Sequence, residues 1–118
     1  MRGPAEQHLE FLPLKATWLH ILLALAEGAG HGYAIRAAVE ERTAGAVRLW
    51  PATLYGALRD MTADGLLEER AAAPAPGDDA RRRYYELTGL GRGVLEAEVC
   101  RLERIVAAAR ATEALARP

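Results

Sequence analysis

Serine and asparagine are absent from this chain, and cysteine occurs once, at Cys100. Without serine there is no serine-nucleophile catalysis. With a single thiol there is no internal disulfide, which fits a reducing compartment. No glycine-rich phosphate loop of the Walker type is present. The histidines, His8, His20 and His31, are scattered, with no cysteine or second histidine at ligand spacing. No metal, no cofactor and no enzymatic activity are therefore expected. The apolar run "WLHILLALA" is too short to span a bilayer, and no basic segment with an apolar core and cleavage site opens the chain. The expected location is the cytoplasm, with no membrane partner. A surplus of positive charge is also missing, since the formal net charge is -1. Any nucleic-acid surface must then come from local clustering of cations, not from a general field.

The 118 residues suffice for one domain with a modest core, and the 51% of apolar residues exclude a disordered polyelectrolyte. Residues 1–12 read as a loose arm, with or without a short helical turn. From Pro13, Leu14, Trp18, Ile21, Leu22 and Leu25 fall on one helix face, and Leu19, Leu23 and Ala26 add a second. A helix apolar on most sides must be buried on most sides, which in so small a protein points to a second subunit. "HGYAIRAAVEERTAG" predicts the next helix, anchored by Tyr33, Ile35 and Val39 and stopped at Gly45. "VRLW" is β-prone and short, a strand at best. Pro51 suits a first helical turn. Leu54, Leu58 and Met61 then form a buried stripe, Ala52, Gly56, Arg59 and Asp60 point away from it, and Gly65 ends the helix.

"LLEERAA" and "RRRYYELT" read as two strands joined by the turn-rich "APAPGDDA", a hairpin. Thr88 is placed to N-cap a last helix. In it Leu95, Val99, Leu102, Val106 and Ala109 alternate spacings of four and three, a heptad seam. A stripe that long exceeds what a three-helix core can cover, so a partner helix is implied. The expected fold is mainly α with a small β-hairpin wing (α+β): a winged helix-turn-helix over residues 13–88 and a long C-terminal dimerisation helix over 89–118. The helix from Pro51 is the recognition helix, stopped sharply so that the chain turns directly into the wing.

"HGYAI" (His31–Ile35), "PATLYGALRDMTADGLLEE" (Pro51–Glu69) and "RRRYYELTGLGR" (Arg81–Arg92) resemble, in order and spacing, the signature segments of the PadR family of transcriptional regulators. The single C-terminal helix resembles the short-form subfamily. The resemblance implies a homodimer that binds an operator in double-stranded DNA, represses transcription and, in some members, is released by a small aromatic or cationic molecule at or near the dimer interface. Carried over by position, it implies DNA contacts at Tyr33, at Thr53 and Tyr55 of "TLY", and at Arg81, Arg82 and Arg83 of the wing. It also implies a dimer interface formed by the first helix and the last, on which Leu14, Trp18, Leu22, Leu95, Val99, Leu102, Val106 and Ala109 supply the apolar contacts. The chain departs from the family pattern at Trp50, where a small polar cap is common, at Ala52, where glycine is, at Gly56, where arginine or proline is frequent, and at Asp60, where a basic residue is.

Several residues carry two readings. Arg59, the only basic residue of the recognition helix, either reads a guanine edge or is simply solvated. The basic triplet either meets phosphate or balances Asp78 and Asp79. Tyr55 is expected with its ring packed and its hydroxyl free to reach phosphate. Trp18 is core or a ligand platform, and an effector cleft walled by Trp18, Val94, Leu95 and Cys100 would favour a flat hydrophobic molecule. Cys100 itself is expected to be a small buried apolar group, and His31 to be structural. Tryptophan caps helices poorly, so Trp50 serves packing or contact. The alternative function, kept open by the weakly basic recognition helix, is a winged-helix protein–protein interaction module without specific DNA binding.

Overall fold

The computed structural model describes residues 4–70 and 83–116. Five α-helices are seen among them: α1 (Pro4–Leu9), α2 (Ala16–Leu25), α3 (Gly32–Arg42), α4 (Pro51–Ala63) and α5 (Gly89–Arg110). Three short strands, β1 (Gly30–His31), β2 (Leu67–Arg70) and β3 (Tyr84–Leu87), form an antiparallel sheet in the order β1-β3-β2. The core lies between α2, α3, α4 and the first half of α5. Ile21, Leu22, Val39, Leu58, Met61, Leu66 and Val94 are completely enclosed there. This is the winged-helix plan expected from the sequence.

The recognition helix ends as its glycine predicts. Gly65 adopts φ +82°, the Gly65 N–H reaches the Thr62 carbonyl at 3.1 Å, and the Leu66 N–H reaches the Met61 carbonyl at 2.9 Å. These two bonds are a Schellman stop. The chain then enters β2 at once. Thr88 caps α5, its hydroxyl accepting the Gly91 N–H at 3.0 Å and donating to the Gly65 carbonyl. A Cβ on Gly91 would run into the Leu66 carbonyl oxygen, so glycine lets the first turn of α5 lie on the end of α4. The long helix and the recognition helix are thus pinned together by backbone.

Three expectations need correction. Residues 4–9 are not a loose arm: α1 packs on α5, with the His8 imidazole against Gly93. "VRLW" is not a strand, because β3 already has β1 and β2 on its two edges and the Val47 N–H is taken by the Thr43 hydroxyl at 3.1 Å. The third strand is instead β1, pairing Gly30 with Tyr85 and His31 with Tyr84. The second apolar face of α2 is partly covered by the chain's own core, Leu19 and Leu23 being half-buried against it while Ala26 is exposed. Finally, α5 stops at Arg110 and a single 3-10 turn follows at Glu113–Leu115.

Candidate nucleic-acid interface

The helix-turn-helix is held by contacts at the two helix starts. His31 caps α3, its Nδ1 accepting the Ala34 N–H at 3.2 Å, so His31 is structural as expected. Where a Cβ would stand on Gly32, the Tyr55 hydroxyl oxygen lies 2.8 Å away. Tyr55 therefore lays its ring over α3 through a gap only glycine leaves. The ring is less packed than the sequence suggests: Tyr55 remains 55% exposed. Thr53 and Arg59 point to solvent beside it, while Leu54 faces the core.

A groove of about 410 Å³ separates α4 from the wing, lined by Tyr55, Arg59, Thr62, Glu69, Arg83 and Tyr85. Its charges are paired internally. Arg83 donates to Glu69 at 3.1 Å, and the Tyr85 hydroxyl donates to the same carboxylate at 3.3 Å. The hydrogen bond and charge of Glu69 raise the Arg83 pKa, and burial is the first cause raising that of Tyr85. Arg59 stands 3.7 Å from Asp60. On the other face of the wing Arg70 pairs with Glu86 at 2.9 Å. The Arg83–Glu69 and Arg59–Asp60 pairs are solvent-exposed, so each contributes little and opens easily to a competing anion.

At the other end of α4 stand Tyr33, 70% exposed, and Trp50, 61% exposed. Trp50 occupies the N-cap position without a side-chain cap bond, and the Arg36 guanidinium lies 6.0 Å from its ring centroid. Arg36 also stands 3.8 Å from Glu40.

Comparison with known proteins decides the family. Residues 21–97 match the "Transcriptional regulator PadR-like family". The chain belongs to the PadR-like family of transcriptional regulators. Among solved structures it is similar to H. salinarum RosR, 30% identical over 89% of this chain and 86% of that one, with a TM-score of 0.61. It is similar too to a PadR family transcription regulator from Clostridium difficile R20291, 25% identical over 80% and 94%, with a TM-score of 0.65. The fold also matches Bacillus subtilis PadR solved in complex with operator DNA, 22% identical over 72% and 47%, with a TM-score of 0.63. A curated relative from Streptomyces fradiae, an uncharacterized 37.1 kDa protein in transposon TN4556, is 41% identical over 88 residues, 72% of this chain. The chain spans only 22% of that relative's length.

In this PadR-like chain the long helix presents two faces. Gly91, Val94, Leu95 and Glu98 turn into the protomer. One position further round, Val99, Leu102, Glu103, Val106 and Ala107 line an open apolar groove of about 430 Å³. Val106 and Ile105 are 57% and 51% exposed. The expected seam is thus split: Val99, Leu102, Val106 and Ala109 lie outside the protomer's core, whereas Leu14, Leu22 and Leu95 are buried within it.

The residues grouped as an effector cleft differ in burial. Val94 is enclosed, Leu95 nearly so, and Trp18 is half-buried with Lys15 Nζ 5.4 Å from its ring centroid. Cys100 is exposed, not buried, because it follows Glu98 by two positions and that step carries it round to the solvent side. Arg81 and Arg82 lie outside the described residues. The sequence reading passed over Glu69 and Glu98. The i, i+3 relation of Glu98 to Arg101 was the one available signal for the latter.

Proposed function

We propose that the protein is a DNA-binding transcriptional repressor that acts as a homodimer and is released from its operator by a small hydrophobic or aromatic effector. The observation that carries the reading is the exposed face of α4, with Thr53, Tyr55 and Arg59 outward beside a wing that offers Arg83, in a chain of the PadR-like family. A recognition helix enters the major groove, and a wing arginine adds phosphate contact. Arg81 and Arg82 join this set by their place in the wing sequence, and Tyr33 by its exposure at the start of α3. The dimer reading rests on the apolar groove of α5. A Cα radius of gyration of 16.4 Å against roughly 13–14 Å for a compact chain of this length also fits a helix that needs a partner. A two-fold dimer implies an inverted-repeat operator with half-sites spaced by helical turns. The effector contact is assigned to Trp18 and Cys100, where α2 packs on α5.

The test uses labelled duplexes from the region upstream of the protein's own gene and random duplexes of equal length, titrated over a range of salt. A specific duplex should bind at least about a thousandfold more tightly than random ones, with affinity falling steeply as salt rises. Light scattering should give about twice the 12.8 kDa chain mass. Binding to no duplex would favour the protein–protein module instead. Planar aromatic compounds should quench tryptophan emission and weaken duplex binding together, and Trp18→Ala should reduce both effects.

A further inference from the structure

We propose that Trp50 is a sequence-reading contact to duplex DNA, an apolar plate at the start of the recognition helix steadied by Arg36. The inference rests on the DNA-binding reading above and assigns part of its specificity to one residue. Trp50 gives the fold little that the structure requires. Its backbone, at φ -66° and ψ 148°, is the extended conformation of an N-cap, yet its side chain makes no cap bond. The preceding Leu49 is the anchor of the turn, only 2% exposed, while Trp50 is 61% exposed. An indole left this far in water gains substantially from any surface that covers it.

The surroundings identify that surface. Arg36 lies against the ring. Arg48, two residues earlier and exposed, has no carboxylate within ion-pair distance among the described residues. Tyr33 and Tyr55 flank the site at the starts of α3 and α4. An aromatic plate with Arg36 over its ring, 3.8 Å from Glu40, and with Arg48 two residues earlier in the chain fits a polyanion whose groove edge also offers apolar groups, the deoxyribose ring and the thymine methyl. In a helix-turn-helix the first residues of the recognition helix are the ones that approach base edges, and apolar contact with the thymine methyl is a recognised form of direct reading. The arginines of the α4–wing groove have carboxylate partners already, Arg59 with Asp60 and Arg83 with Glu69. An uncharged contact at the other end of α4 complements them, and it discriminates sequence where phosphate contacts do not.

The experiment labels the protein with 5-fluorotryptophan. Its two tryptophans give two fluorine signals, and Trp50→Phe identifies the one from position 50. On titration with the upstream duplex the Trp50 signal should shift and lose its solvent isotope effect at the stoichiometry at which the duplex's anisotropy saturates. Trp50→Ala should weaken that duplex about tenfold or more and random duplexes far less, with Trp50→Phe between Trp50→Ala and the unaltered protein. A Trp50 signal that stays solvent-exposed in a tight complex overturns the proposal and leaves the DNA-binding reading intact. So does unchanged affinity of Trp50→Ala. Protection of Trp50 by rising protein concentration without DNA assigns the patch to a second copy and also overturns it. Failure of the unaltered protein to bind any duplex overturns both readings together.

Discussion

Glu98 is the one buried charged side chain among the described residues, 1% exposed. Its Oε2 accepts the Leu14 N–H at 2.8 Å and Arg101 Nη2 at 3.1 Å, and its Oε1 accepts Arg101 Nε. The carboxylate thereby fastens α5 to the peptide leading into α2. Glu98→Ala leaves the Leu14 donor unpaired, at about 1–3 kcal/mol, and opens a small void that adds about 1 kcal/mol. The expected total is about 2–4 kcal/mol, a fall in Tm of roughly 8–16 °C for a chain of this size.

The pH dependence carries a sign. The hydrogen bond from Arg101 is the main cause lowering the Glu98 pKa, the Leu14 bond and the Arg101 charge add to it, and burial opposes them. A carboxyl depressed on folding stabilises the protein above its unfolded pKa, and the stabilisation is lost as pH falls through the folded one. Arg101→Met removes the main lowering cause and leaves burial, which pushes the carboxyl up. The stability gap between wild type and Arg101→Met should therefore be widest near neutral pH and close in acid. Circular-dichroism melts between pH 3 and 8 measure it, at one protein concentration because dimerisation would couple to Tm. A Glu98→Ala melt within about 2 °C of wild type, or a gap that widens in acid, would refute the reasoning.

Other outcomes follow from separate features. Leu102→Asp places a charge in the apolar groove of α5, away from the protomer's core, and should give a folded monomer by light scattering and circular dichroism; a persistent dimer would move the interface elsewhere. Arg59→Ala should cost about 1–3 kcal/mol on the cognate duplex if it holds a guanine, whereas equal loss on random duplexes would reduce Arg59 to a phosphate contact. Ala44 carries φ 51°, a left-handed conformation that costs an L-residue about 1–2 kcal/mol. Ala44→Gly should therefore raise stability by up to about 1 kcal/mol in denaturant titration, the greater chain entropy of unfolded glycine offsetting part of the relief.

The parts of the fold legible in the sequence are those fixed by local pattern. The Leu54, Leu58, Met61 stripe, the Gly65 stop and the Thr88 cap each rest on residues within a few positions of one another, and the hairpin on two β-prone runs either side of one turn-rich segment. What escaped depends on distant partners. β1 is two residues, Gly30 and His31, with little strand propensity, and exists because β3 offers a free edge. The core-facing side of α5 went unread beside the partner seam, because Leu95 belongs to both stripes. Only the docking of α2 and α1 shows that Gly91, Val94 and Glu98 face the core while Val99 and Leu102 do not. Burial of Glu98 was invisible for the same reason, since its partner Leu14 lies 84 residues away. In the candidate interface the outward residues of α4 could be read from helical period. The pairing of Arg83 with Glu69 required the strand register, which opposes Glu69 to Tyr85.

The division of α5 into two faces bears on how an effector could act at all. The first half is tied to α2 through Glu98 and Leu14, and its start is tied to the end of α4 through Thr88, Gly65, Gly91 and Leu66. No loose loop separates α5 from α4 at that junction. In the proposed dimer, the second half of α5 meets the partner, so the angle between the two α5 helices sets the spacing of the two recognition helices. A 22-residue helix is roughly 33 Å long, and a tilt of about 5° moves its far end by about 3 Å, as much as the whole length of a hydrogen bond. A bidentate contact to a base edge does not survive such a shift. A ligand need only bind better to one α5 packing than to the other. The stiffness of the Thr88–Gly91 junction then delivers that preference to α4 without a separate domain to relay it.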